Sequence, residues 1–150
     1  MGDITRNNSS EESRLDSGTS CGYRISQGGN VVLGLIGHAE LAQGTRLYFD
    51  NLFTSLGLLA ELCKRGIGAT GTLRENRISQ HMSLTPKNSF KKSKRGTSMT
   101  VSSDNMTAVR WNDNAVVTVL SNCATDEPFK TVQRYSRPKE KESMFKCLIQ

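Results

Sequence analysis

Between Arg46 and Leu73 the chain changes element type at a spacing that leaves few folds open. Arg46-Leu47-Tyr48-Phe49-Asp50 reads as a short apolar strand that ends on a carboxylate. The chain then turns through Asn51-Leu52-Phe53, and Thr54 or Ser55 can cap a helix by accepting backbone N–H bonds. Within that helix Leu56, Leu59 and Cys63 recur at spacings of three and four, and Leu58 and Leu62 widen the apolar face. Lys64 and Arg65 fall in its last turn, where positive charge suits the C-terminal dipole, and Gly66 can close it. Ile67-Gly68-Ala69-Thr70-Gly71-Thr72-Leu73 reads as a second strand whose small residues allow close packing. Strand, helix and strand within about thirty residues predict a βαβ unit, and hence a partly parallel sheet.

Order begins, on this reading, near Asn30. The segment 1–28 mixes Ser, Asn, Gly and charges without periodicity, so disorder is expected there. Val31-Val32-Leu33-Gly34-Leu35-Ile36 is a compact apolar run that fits a buried strand or the start of a helix, and periodicity does not choose. Gly28, Gly29, Gly34, Gly37 and Gly44 read as turn markers. Gly28-Gly29-Asn30 is no phosphate loop, because neither the G-x-G-x-x-G pattern nor a following Lys-Ser/Thr is present.

From Arg74 to Met106 the composition shifts. Arg74, Arg77, Lys87, Lys91, Lys92, Lys94 and Arg95 are opposed only by Glu75 and Asp104, and apolar residues are sparse, as in a basic loop or insertion. Val109–Asn114 and Val116–Ser121 then read as a β-hairpin, with Asp113-Asn114 supplying turn residues that tolerate positive φ. Thr131 to Tyr135 reads as a short strand, and 138–150 as a charged, solvated tail.

Hydrophobic residues make up 35% of the 150, enough for one modest core, and the length does not favour two domains. A net charge of +6 points to polyanionic partners such as nucleic acid. Cys21, Cys63, Cys123 and Cys147 are scattered without C-x-x-C spacing, and neither His38 nor His81 lies beside one, so reduced thiols are expected rather than a zinc site. No apolar run approaches membrane-spanning length, and the N-terminal residues lack the apolar stretch of a secretory signal. The expectation is a soluble, intracellular chain.

Asp50 is the residue that invites chemistry. It lies at the carboxyl end of its strand, where open α/β sheets place ligands, and a carboxylate there can hold a hard cation such as Mg²⁺ through oxygen. One acid is not a metal centre, because two-metal phosphoryl transfer needs several carboxylates to hold ions about 4 Å apart. The competing reading is a turn or capping role for Asp50.

The run Tyr48-Phe49-Asp50-Asn51-Leu52-Phe53-Thr54-Ser55, followed by Leu58-Leu59 and by Arg65-Gly66-Ile67-Gly68-Ala69-Thr70-Gly71-Thr72-Leu73-Arg74-Glu75-Asn76-Arg77, resembles the core of piggyBac-type transposases and their domesticated relatives. The resemblance extends upstream through Gly29–Leu33 and downstream through Lys94–Thr97, Val109–Asn114, Leu120–Asn122 and Arg134–Ser136, covering about 28–137. It implies an incomplete RNase H-like core of α/β class, a partial transposase domain over 29–137 with a basic, β-rich insertion over about 74–121. It implies also a nuclear protein whose relatives cut and join DNA with Mg²⁺ held by three aspartates.

Asp50 matches the second of those aspartates. For the first, Asp16 is the only nearby residue, and it lies too close in sequence and outside any clear strand. The third belongs to a Gly-Gly-Val-Asp block that does not follow Ser136 here, and the family's cysteine-rich zinc module is also missing. Gly57 stands where relatives usually show proline. The expectation is a truncated, transposase-derived protein that is catalytically inactive, keeps residual DNA binding through Arg74, Arg77, Lys91, Lys92, Lys94 and Arg95, and leaves sheet edges open. Two alternatives stand beside it. One is a non-enzymatic chromatin or protein-interaction module. The other is a fragment that associates with a complete transposase, so that missing aspartates join Asp50 around the metal.

Overall fold

The computed structural model describes residues 23–78, 82–103, 105–132 and 145–149. Asp16, Cys21, His81, Asp104 and all of 133–144, including the family-like Arg134–Ser136, lie outside the described residues. Helix α1 spans Gln27–Ala39 and strand β1 Arg46–Phe49. Helix α2 spans Leu56–Lys64 and strand β2 Gly68–Thr72, followed by a 3-10 turn at Glu75–Arg77 and a single helical turn, α3, at Lys87–Phe90. Strands β3, β4 and β5 are Ser98–Ser103, Met106–Asn112 and Val116–Ser121. A second sheet pairs β6, Thr125–Val132, with β7, Phe145–Ile149.

The ambiguous run at Val31–Ile36 is helical. Ser26 caps α1 by accepting the Gly29 N–H at 3.2 Å, and Val32 and Ile36, four apart, turn inward with Gly29. Gly28, Gly29, Gly34 and Gly37 therefore sit inside the helix rather than at turns. At Gly29 the reason is packing, since a Cβ would lie 2.8 Å from the Ile25 side chain. The ordered chain begins before Asn30, because the partly buried Tyr23 already packs against the core. Gly44 does turn the chain, at φ +85.

Strands β1 and β2 are parallel, joined by α2, as the βαβ reading expects. The remaining pairs are antiparallel, giving a mixed five-stranded sheet in the order β1-β2-β5-β4-β3. The basic insertion is thus a three-strand meander docked on β2. Its β4–β5 turn runs through Asp113, Asn114 and Ala115 without positive φ, which among the described non-glycine residues occurs only at Glu40. A three-residue connection, with Asn112 paired to Val116, avoids the left-handed geometry that a two-residue hairpin would impose. The expected strand at Thr131–Tyr135 lies partly within the earlier-starting β6, and β7 falls within the stretch read as a charged tail.

The core lies where α1 and α2 cover one face of the sheet. Leu58, Leu59 and Leu62 of α2 are fully buried against Ala69 of β2, Leu120 of β5 and Ala108 of β4, with Val32 and Ile36 closing the other side. Further along the same face the residues become polar: Arg110, Asn112 and Thr118 are buried under the segment that carries α3.

Candidate functional site

The carboxyl ends of β1 and β2 bring three expected site residues together. Asp50 is exposed, one step past β1, and its Oδ1 accepts the Leu52 N–H in an Asx turn. Its carbonyl accepts from Phe53 N at 3.3 Å, Thr54 N at 3.2 Å and Thr54 Oγ1 at 2.8 Å. Thr54 is fully buried against β2, where Gly71 leaves room for it; a Cβ at Gly71 would collide with Thr54 Oγ1 and lie 2.8 Å from the Phe49 carbonyl. Ser55, not Thr54, caps α2, accepting the Leu58 N–H at 3.3 Å. Asp50 thus fills the turn role and at the same time presents its acid at a strand end.

Arg74 and Arg77 reach this loop from the far side. Arg74 Nε donates to Asn51 Oδ1 at 2.9 Å. Arg77 Nη1 donates to the carbonyls of Asn51 at 3.0 Å, Leu52 at 2.8 Å and Thr54 at 3.0 Å. Arg77 also lines a cleft of about 440 Å³ shared with Tyr23, Arg24 and the first turn of α2. Gly57 belongs to that first turn, and a Cβ there would come within 2.5 Å of the Arg24 carbonyl, so the position admits the incoming chain only without a side chain.

Among the described residues no three His, Cys, Asp or Glu side chains gather as a metal-binding group. Asp50 offers a single carboxylate, and the described residues alone do not fit a two-ion centre.

Lys91, Lys92, Lys94 and Arg95 lie elsewhere, in the turn between α3 and β3, and all four are exposed. Arg95 pairs with Asp113 at 2.9 Å. Among the described residues no carboxylate pairs with Lys91, Lys92 or Lys94.

What anchors that turn was not foreseen from the sequence. Arg110 is fully buried and donates to Thr118 Oγ1 at 2.9 Å, to the Thr85 carbonyl, and to Glu75 Oε2 at 2.7 Å. Glu75 Oε1 accepts the Lys87 N–H at 3.0 Å, so one carboxylate ties β4 to the start of α3. Asn112 Nδ2 donates to the carbonyls of Lys91 at 3.3 Å and Ser93 at 2.8 Å. An arginine and an asparagine on the covered face of a strand were the available signal, because a buried polar side chain must find partners.

The family model described as Transposase IS4 matches residues 5–150. The chain is 38% identical over 92 residues to human PiggyBac transposable element-derived protein 2, covering 60% of this chain and 15% of that protein. It is 40% identical over 95 residues to human PiggyBac transposable element-derived protein 3, covering 63% of this chain and 16% of that protein. A solved structure, the cryo-EM structure of a piggyBac transposase synaptic complex with hairpin DNA, superposes with a TM-score of 0.53 at 25% identity, covering 69% of this chain and 22% of that one. The chain belongs to this transposase family, on its piggyBac-type branch. It spans about 15% of the length of the curated relatives it matches.

Proposed function

We propose that this chain is a DNA-binding, transposase-derived protein whose βαβ unit is part of an RNase H-like core, and that it does not cut DNA by itself. The observation that carries the binding is the exposed turn after α3, where Lys91, Lys92 and Lys94 stand without carboxylate partners among the described residues. Ammonium groups so placed neutralise phosphates and release condensed counterions, with no dependence on base sequence. Likeness to a transposase solved with hairpin DNA supports the same reading; a nuclear place of action is part of the proposal.

The test is a titration of duplex DNA at several salt concentrations. Three phosphate contacts give a log–log slope of about −3, and Lys91→Ala with Lys92→Ala removes about two units of it. No binding at low salt would overturn the proposal.

A second reading is favoured by one feature. Asp50 follows β1, and β1 is the end strand of the described sheet, its second edge unpaired. A partner transposase that supplied the neighbouring strand and further carboxylates would place Asp50 among Mg²⁺ ligands. Mg²⁺- or Mn²⁺-dependent nicking separates the two readings: the protein alone gives none, and nicking that appears only with a complete transposase and is lost in Asp50→Ala supports completion.

A further inference from the structure

We infer that Arg77 is a positioning residue for Asp50, holding the loop that follows the acid, and is not itself a phosphate ligand. This rests on the DNA-binding reading above and narrows the set of residues that the sequence offered to DNA, which included both Arg74 and Arg77.

The loop's backbone polar groups divide into two sets. The N–H groups of Leu52, Phe53 and Thr54 turn towards Asp50, onto its carboxylate and its carbonyl. The carbonyls of Asn51, Leu52 and Thr54 turn the other way and converge. Three carbonyl oxygens facing one point create a region of negative potential that suits a cationic donor. Arg77 supplies it from the 3-10 turn just beyond β2, the two N–H groups of Nη1 being shared among three oxygens at 2.8 to 3.0 Å. The two strand ends are thereby locked to each other, and the direction of the Asp50 carboxylate is fixed from behind.

Competition between the two roles is decided by what the guanidinium would give up: swinging Nη1 to a phosphate withdraws both of its N–H groups from the three carbonyls that share them. Arg74 is different, since its Nε makes a single contact, with the side chain of Asn51, at an exposed position. Of the pair, Arg74 is the one free to meet DNA.

The experiment uses the full chain with Arg77→Ala and Arg77→Lys, and Lys91→Ala with Lys92→Ala as the comparison. Amide exchange at Leu52, Phe53 and Thr54 is expected to rise about tenfold or more in Arg77→Ala, and the Leu52 amide proton shift, set by its bond to Asp50, to move towards its random-coil position. Arg77→Lys, whose ammonium can still reach carbonyls, restores part of both. The salt slope of duplex binding stays at the parent value in Arg77→Ala, whereas Lys91→Ala with Lys92→Ala lowers it by about two. A slope reduced by about one in Arg77→Ala, with exchange at Leu52–Thr54 unchanged, would show a phosphate ligand acting through the neighbouring cleft and overturn the inference. If no variant and no parent binds DNA, the binding proposal fails, while the exchange and shift measurements still decide the role of Arg77.

Discussion

The two ends of the described sheet are held by opposite means. Around β1, α2 and β2, position comes from apolar burial: Leu58, Leu59 and Leu62 fill the space between helix and sheet, and small residues at Ala69 and Gly71 let the layers approach. Around β4 and β5, the same face is lined by Arg110, Asn112 and Thr118, and the covering segment is fastened to their polar atoms. A packed apolar layer tolerates no rearrangement without loss of contact, so it suits the Asp50 end, where direction matters. A polar anchor fixes the backbone at a few points and leaves the lysines between them exposed.

This contrast can be broken by substitution. The largest effect is expected from Leu59→Ala, which empties part of the apolar layer and costs about 3–4 kcal/mol by urea unfolding. A loss under about 1 kcal/mol would show that the layer is not tightly packed. Next is Asn122→Ala. Asn122 joins the regions by accepting the Ala69 N–H at 2.6 Å and donating to the carbonyls of Leu59 at 3.0 Å and Ile67 at 3.1 Å. Its removal takes the side-chain partner from the Ala69 N–H and the Ile67 carbonyl and a second bond from the Leu59 carbonyl inside α2, and costs about 2–3 kcal/mol in the same assay.

Glu75→Ala follows, at about 2 kcal/mol: it strips a fully buried arginine of its carboxylate, but Glu75 is partly exposed and water replaces some of the loss. Here the location matters more than the size. Amide exchange should quicken in β3, β4 and 87–97 while α2 and β2 keep the protection of the parent. Uniform quickening would mean that the two regions are one cooperative unit after all. The smallest effect is that of Lys91→Ala with Lys92→Ala, within about 0.5 kcal/mol in stability, because both side chains are exposed.

The βαβ unit was legible because its signals are local: a helical spacing of leucines, Ser55 before it, Gly66 after it and short strands on either side. Its family likeness was legible in the same residues, and the piggyBac resemblance is borne out by the comparisons. α1 was not, since six consecutive apolar residues satisfy a strand as well as a helix, and the deciding contacts come from α2. The strand pattern marked Arg110 as a polar side chain in need of a partner, but that partner was out of reach because Glu75 lies 35 residues away and nothing near it points to Arg110. For Asp50 the sequence allowed a turn residue or a metal ligand, and the geometry shows that the first is fulfilled without removing the acid from the surface.

The placement of β2 also governs the order in which the molecule assembles. One neighbour, β1, is reached through a short crossover, but the other is found only when Thr70 meets Ser121, 51 residues away along the chain. Closing so long a loop costs entropy before any strand contact offsets it. Pulse-labelled refolding should therefore show α2 sheltered from exchange before β5, with the meander recruited in a slower kinetic phase.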